Sequence, residues 1–215
     1  MSDFERARKF MVDNQLRTSG ITDWRILAVM SDVPREMFVP EARRAVAYGD
    51  VDQPLGSSRY LSAAAPFAKL VQLAEIGPTD TVLDIGAGSG YSTAVLAGLA
   101  ASVTGVESDA GLAAAAAVNL SALGITNAKV VQGAPEAGVK GQFSVIVVEG
   151  AIAAVPQALL GQLADGGRLV ALLQDKGPAV AHIYVRSGKD TAGRAEFNAN
   201  LPPLQFAKRE EHFVF

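Results

Sequence analysis

Two carboxylates and three closely spaced glycines are the residues best placed to do chemistry. The segment TVLDIGAGSGYS passes from an apolar run through a turn carrying Gly86, Gly88 and Gly90 into a helix expected to start near Tyr91. Glycine lets a backbone turn sharply and approach a ligand with no Cβ in the way, as a nucleotide site at the carboxyl end of a strand requires. Dinucleotide sites seat a pyrophosphate on the helix N-terminus and usually read G-x-G-x-x-G. Here the third glycine comes one residue early, and Asp84 precedes the turn. S-adenosylmethionine has no phosphate but carries an ammonium, a carboxylate and a sulfonium, and Asp84 suits that cationic tail. Glu107, seventeen residues after Gly90, falls at the end of the next expected strand, where a carboxylate accepts both ribose hydroxyls. The pattern favours S-adenosylmethionine over NAD. The bland alternative is a plain strand-to-helix turn with Glu107 facing solvent.

Positioning such a site takes a parallel sheet. From Thr81 onward, short β-branched runs alternate with longer helical stretches, the pattern of parallel strands covered by helices on both faces. Strands are expected at Thr81 to Ile85, Val103 to Glu107, Lys129 to Gln132, Phe143 to Val148 and Arg168 to Leu173. The alanine- and leucine-rich segments Ser92 to Leu99, Gly111 to Leu123 and Val155 to Leu163 suit the crossover helices. Beyond Leu173, HIYVRS and EEHFVF read as β segments separated by a polar loop, which predicts an antiparallel hairpin at the sheet edge. The chain before Thr81 reads as helical to Ala47 and irregular through DVDQPLGSSRYLS, a cap beside the ligand face.

Composition narrows the function classes. The 215 residues, 49% of them hydrophobic, suffice for one sizeable core. The formal charge of −3 argues against nonspecific nucleic-acid binding, which rests on lysine and arginine displacing counterions. The pairs Arg43-Arg44 and Lys208-Arg209 are too short to overturn that. With no cysteine, disulfides, thiol nucleophiles and thiolate metal sites are excluded, and no metal is expected. MSDFERARKF lacks the apolar segment of a signal peptide, and the apolar stretch Ala94 to Val106 is too short to span a bilayer. The expectation is a cytoplasmic protein with no membrane partner.

At this point the sequence resembles the protein-L-isoaspartate O-methyltransferase family, from Met11 to Phe215. The matching stretches are MVDNQL, VPREMFVPE at Val33 to Glu41, AYGD at Ala47 to Asp50, PLG at Pro54 to Gly56, VLDIGAGSGYS, and QLADGGRLV at Gln162 to Val170. The resemblance implies an α/β fold: a doubly wound Rossmann-like methyltransferase sheet, mostly parallel with a C-terminal antiparallel hairpin, plus an N-terminal helical cap. It implies one domain over 1–215, with 1–65 as cap and substrate loop and 66–215 as the cofactor-binding core. S-adenosyl-L-methionine would be held by Asp84, Ile85, Gly86, Ala87, Gly88, Gly90, Glu107, Ser108, Gly133 and Ala134. The acceptor would be the carboxylate of an isoaspartyl residue in a damaged protein or peptide. A carboxylate is already ionised at neutral pH and needs no general base, so alignment and desolvation supply the rate. That suits a chain with two histidines, His182 and His212, both read as surface or packing residues.

Three departures from the family pattern bear on the acceptor and the donor. The family's G-x-G-Q-T-I-S reads Gly56-Ser57-Ser58-Arg59-Tyr60-Leu61-Ser62 here, which leaves Ser62 as the hydroxyl that orients a reacting group, while Arg59 and Tyr60 enlarge and charge the pocket. They could also form a cap loop that touches no ligand. After the fourth strand, Glu149 stands near the acceptor, where its charge repels a carboxylate unless Arg59 or a bound cation offsets it. Glu149 acts as an orienting group or base if the acceptor is an amine or hydroxyl, or faces solvent, or pairs with Arg59. The family's Gly-Asp-Gly turn after the third strand reads Gly133-Ala134-Pro135, losing an adenine anchor worth about 1 kcal/mol unless another group replaces it. The leading reading is an isoaspartyl-type methyltransferase with Ser62, Arg59 and Glu149 on the acceptor side. The alternatives are a different acceptor, a cofactor-binding sensor without transfer activity, and an NAD-dependent dehydrogenase. Base methylation is disfavoured, because VEGA offers neither the prolines nor the stacking aromatic of Asn-Pro-Pro-Tyr.

Overall fold

The N-terminal third builds a helical layer whose ends are satisfied locally. Ser2 caps α1 (Asp3–Met11), its hydroxyl accepting from the Glu5 amide while Glu5 reaches back to the Ser2 amide. Asp23 caps α2 (Trp24–Asp32) by accepting from the Arg25 amide. Such contacts pair amides that have no partner inside the helix. Between the two helices the chain widens into π turns at Val12–Leu16. After α2, two 3-10 turns at Arg35–Phe38 and Glu41–Val46 carry it to Ala47.

The segment expected to be irregular instead forms a hairpin of β1 (Gln53–Gly56) and β2 (Arg59–Leu61). Its turn residues Ser57 and Ser58 both have positive φ, 50° and 56°. Two left-handed residues match the right-handed twist of a two-residue hairpin, a turn usually signalled by Asn-Gly and not by Ser-Ser. Helix α3 (Ala64–Ala74), for which the sequence reading named no element, follows at once.

The computed structural model describes residues 2–206, and from β3 onward it shows the expected alternation. The elements are β3 (Thr81–Ile85), α4 (Tyr91–Ala97), β4 (Ser102–Glu107), α5 (Ala110–Ala122), β5 (Ala128–Gln132), β6 (Phe143–Ile152), α6 (Gln157–Leu160), β7 (Leu163–Leu173), β8 (Val180–Ser187) and β9 (Asp190–Asn198). The sheet order is β5-β4-β3-β6-β7-β8-β9, parallel from β5 to β7 and antiparallel beyond. Two expectations are corrected. The helix read over Val155 to Leu163 contracts to α6, because Pro156 and Gly161 bracket it and β7 already starts at Leu163. The strand pairing with HIYVRS is β9, read from sequence as polar loop. EEHFVF, Lys208-Arg209 and His212 lie outside the described residues.

Side chains alternate across the sheet as the two-residue strand period requires. Val82, Val145 and Val147 face the layer of α3, α4 and the N-terminal helices; Leu83, Ile85, Ile146 and Val148 face the other side with α6 and Leu204. Leu201–Leu204 runs beside the end of β6: the Ala151 amide donates to the Pro202 carbonyl and the Leu204 amide to the Ala151 carbonyl, each at 2.9 Å. The carboxyl ends of β3, β4, β5 and β6 therefore open onto a groove bounded by the β1–β2 hairpin and by this segment.

Candidate functional site

Asp84 lies in the middle of the parallel sheet, fully buried, at the point where β3 gives way to the glycine turn. Its Oδ2 accepts from the hydroxyls of Ser92 and Thr93 in the first turn of α4. Its Oδ1 has no partner. Burial outweighs these hydrogen bonds and the nearby Arg59, and the carboxyl is pushed up to about 6. A half-satisfied buried carboxylate is costly unless a donor or cation completes it.

Glu107, at the end of β4, is also fully buried but amply partnered. Its Oε2 accepts from the Gly88 amide at 2.8 Å, and its Oε1 from the Asp109 amide at 3.0 Å and the Ser108 hydroxyl at 3.2 Å. Arg59 adds an ion pair, Nη2 to Oε2 at 3.0 Å, with Nε within 3.3 Å of both oxygens. Burial works against this carboxylate, yet Arg59 and the two amides hold it below the ordinary glutamate range. It is ionised throughout the neutral range.

Around these two groups the predicted residues fall into two places. Ser62, Gly86, Ala87, Gly88 and Glu149 line one small cavity of about 20 Å³ together with Tyr60, Tyr91 and Ser92. That is room for about one water. Ser108, Gly133 and Ala134 line a second, open cleft of about 620 Å³ with Gln132, Pro135, Glu136 and Phe206. Ile85 is buried in the core on the face that includes Leu204, with its backbone at the end of β3. Gly90 caps α4 in the left-handed region, φ 95°, where an added Cβ would meet the Ala116 Cβ and Cα at 3.0 and 3.2 Å. Its role there is close packing of α4 against α5.

Glu149 neither reaches solvent with both oxygens nor pairs with Arg59: Oε1 is buried without a partner, and the guanidinium is spent on Glu107. Burial first, then the nearby Asp84 charge, raises its pKa well above the ordinary glutamate value, against a smaller opposing pull from Arg59. The neutral acid is favoured. To the extent that the carboxyl is protonated, the repulsion expected beside an acceptor carboxylate is relieved, and the group has a proton to donate.

Four contributors escaped the sequence reading. Ser92 and Thr93 hold Asp84 from one turn into α4, the kind of hydroxyl pair that N-terminal helix positions place beside a strand end. Arg35, inside VPREMFVPE, is 1% exposed; its Nε donates to the Ala47 carbonyl at 2.8 Å, its Nη2 donates to the Ser62 carbonyl, and its guanidinium lies 4.9 Å from the Tyr91 ring centre. It ties the helical cap to the loop that carries Ser62. Glu136, two residues past Ala134, points an unpartnered buried Oε2 in the region of the open cleft. An acidic side chain near the lost anchor was visible in QGAPE, but only the folded turn brings it back toward the cleft.

These donors and acceptors fit S-adenosylmethionine. The unpaired oxygen of Asp84 suits the ammonium, the Glu107 carboxylate suits the ribose diol, and the unpaired oxygen of Glu136 suits an exocyclic amine in the open cleft. Against that fit, the Glu107 carboxylate is already held by Arg59.

Comparison with known proteins adds an independent line. Residues 6–199 match the family model described as protein-L-isoaspartate(D-aspartate) O-methyltransferase. A protein-L-isoaspartate O-methyltransferase of Herpetosiphon aurantiacus is 39% identical over 215 residues, covering 99% of this chain and 96% of that one. One of Koribacter versatilis is 41% identical over 172 residues, covering 79% and 78%. Among solved structures, a protein-L-isoaspartate O-methyltransferase superposes with a TM-score of 0.78 at 23% identity, over 92% of this chain and 66% of that one. A Plasmodium falciparum chain described as such a methyltransferase, in complex with S-adenosyl-L-homocysteine, also gives 0.78, at 22% identity over 92% and 98%. The two superpositions show the shared fold.

Proposed function

The chain belongs to the protein-L-isoaspartate O-methyltransferase family and is an enzyme of the methyltransferase type, and we propose that it methylates the carboxylate of isoaspartyl residues in damaged proteins. S-adenosylmethionine, when bound, supplies an electrophilic methyl on a sulfonium. The Asp84 carboxylate would hold the ammonium, Glu107 the ribose diol once Arg59 has left it, and Glu136 the adenine amine. Ser62, fixed in place through its own carbonyl by Arg35, presents a hydroxyl to the acceptor.

The observation that carries this reading is Glu149. It lines the same cavity as Ser62, its Oε1 is buried without a partner, and its surroundings shift it toward the neutral acid. A neutral carboxyl donates a hydrogen bond to an acceptor carboxylate where an ionised one would repel it. The acceptor arrives ionised and needs no base, so positioning and exclusion of water are what the chain contributes.

Incubating the protein with methyl-labelled S-adenosylmethionine and a matched pair of peptides, one isoaspartyl and one aspartyl, tests the proposal. Labelling of the isoaspartyl peptide alone is the expected result. Cofactor binding with equal labelling of the two peptides, or with none, refutes the isoaspartyl assignment and leaves a family member with another acceptor.

A further inference from the structure

Arg59 stands where the family pattern has glutamine, and its guanidinium lies within the donor groove. A carboxylate offers about four acceptor positions. Glu107 meets three donor contacts from Arg59 and one each from the Gly88 amide, the Ser108 hydroxyl and the Asp109 amide. It is saturated, and with Arg59 in place it has no lone pair for a ribose diol. Without Arg59 the two amide contacts and the Ser108 hydroxyl remain, so one acceptor position comes free on Oε2, and a second on Oε1 when the rotatable Ser108 hydroxyl, at 3.2 Å, turns away.

The same side chain blocks the groove by bulk. Nη2 donates to the Gly86 carbonyl at 2.7 Å and lies 2.9 Å from the place a Cβ on Gly86 would occupy, so the guanidinium rests on the glycine turn itself. On one side is the open cleft at Ser108 and Gly133, and on the other the small cavity at Gly86 and Ser62. A nucleotide spanning both must cross the position Arg59 holds. The arginine is carried on β2, and the tip of the same hairpin is pinned by Ser57, whose hydroxyl donates to Asp109 Oδ2 at 2.7 Å. Two fastenings of the hairpin therefore end at the β4–α5 junction, while Arg59 also grips the Gly86 carbonyl and Gln53, at the base of β1, is held by Arg43.

We propose that Arg59 is an internal occupant of the ribose subsite, and that the donor nucleotide binds only as the guanidinium leaves Glu107 and the β1–β2 hairpin unlatches. The inference rests on the donor-site reading above. It makes Arg59 a determinant of donor affinity and of the rate at which the groove becomes accessible. Arginine is strong in this place because its fork matches a carboxylate in two contacts, a geometry glutamine lacks.

The test is calorimetric titration of S-adenosylhomocysteine into the full chain, its Arg59→Gln variant and its Ser57→Ala variant. If the latched form outweighs the open one ten to one, abolishing it tightens binding by about tenfold, because apparent affinity scales with the open fraction. Arg59→Gln is expected to show that gain, and Ser57→Ala, which leaves every groove side chain in place, a smaller gain with faster association in stopped flow. A second readout separates an occupant from a merely structural residue: adenosine and 2′,3′-dideoxyadenosine are both expected to bind Arg59→Gln more tightly by the same factor, since both must displace the guanidinium, with adenosine keeping its preference through Glu107. Unchanged or weaker binding in both variants, or equal weakening of both nucleosides, overturns the proposal. Failure of the unmodified chain and both variants to bind S-adenosylhomocysteine at millimolar concentration would instead remove the donor-site reading, and this inference with it.

Discussion

Lowering the pH from 7 to 5 is expected to weaken S-adenosylhomocysteine binding through Asp84. The carboxyl stands at about 6 because burial outweighs its bonds from Thr93 and Ser92. An ammonium placed against its unpaired oxygen favours the ionised form, so the bound state binds fewer protons than the free one. At pH 7 about nine in ten free molecules carry ionised Asp84, and at pH 5 about one in ten. The affinity ratio between those pH values is therefore about tenfold, or ~1.4 kcal/mol. Glu107 does not contribute, since its pKa lies below the ordinary glutamate range and it stays ionised across the window. Calorimetry at constant ionic strength in two buffers of different ionisation heat measures both the affinity and the protons released, approaching one per site at pH 5. Asp84→Asn should be weaker at pH 7 and flat with pH. Affinity independent of pH in the unmodified chain, or an undiminished slope in Asp84→Asn, would refute the assignment. The stability of the free protein carries the opposite sign. A raised folded pKa stabilises below the unfolded value near 4 and loses that contribution as pH rises through 6. The stability of the unmodified chain relative to Asp84→Asn should thus fall between pH 4 and pH 7, by an amount on the order of 2–3 kcal/mol.

Other perturbations probe the supporting structure. Arg35→Ala removes a buried guanidinium that donates to the Ala47 and Ser62 carbonyls, and should cost about 3 kcal/mol in urea unfolding; a loss under 1 would show the two carbonyls find other partners. Gly90→Ala should destabilise by about 2 kcal/mol, since left-handed strain adds to the Ala116 contact, while Gly166→Ala, at φ 73° with open space, should cost about half as much; equal melting temperatures would discount the contact. Glu136→Ala should weaken S-adenosylhomocysteine by about 1 kcal/mol and leave the analogue whose base is unsubstituted purine unchanged, because that base has neither the 6-amino group nor an N1 proton to donate to the carboxylate; parallel losses for both ligands would place Glu136 away from the base. Glu149→Asp shortens the proton donor and should raise the KM for an isoaspartyl peptide with little change in donor affinity, as read from initial rates and calorimetry side by side.

What could be read from the sequence follows from where each signal comes from. The central strands declare themselves because a parallel strand buried on both faces is a continuous apolar run: β3 falls on Thr81–Ile85 as read, and β4 and β5 each start one residue earlier than read. Strand β9 gives no such signal, since most of its residues are exposed at the sheet edge and its polar text, DTAGRAEFN, is that of a loop. Asp84 and Glu107 were legible because the ends of the first two parallel strands are fixed by the fold, and a carboxylate there has few places to point. The ion pair from Arg59 to Glu107 was not, although both residues were singled out. It joins positions 48 apart through a hairpin whose Ser-Ser turn carries no conventional marker, so the cap residue expected to face the acceptor faces the donor. Glu149 differs in the other direction: its place was legible from its strand, whereas the rise in its pKa comes from burial and from Asp84, which no spacing encodes. Residue type and fold position thus locate the candidate groups here, while the surroundings of Glu149 and the Arg59–Glu107 ion pair are set by packing between segments distant in sequence. Substitutions at Arg59 and Glu149 are consequently the ones expected to change donor affinity and acceptor preference in this chain without touching the glycine turn.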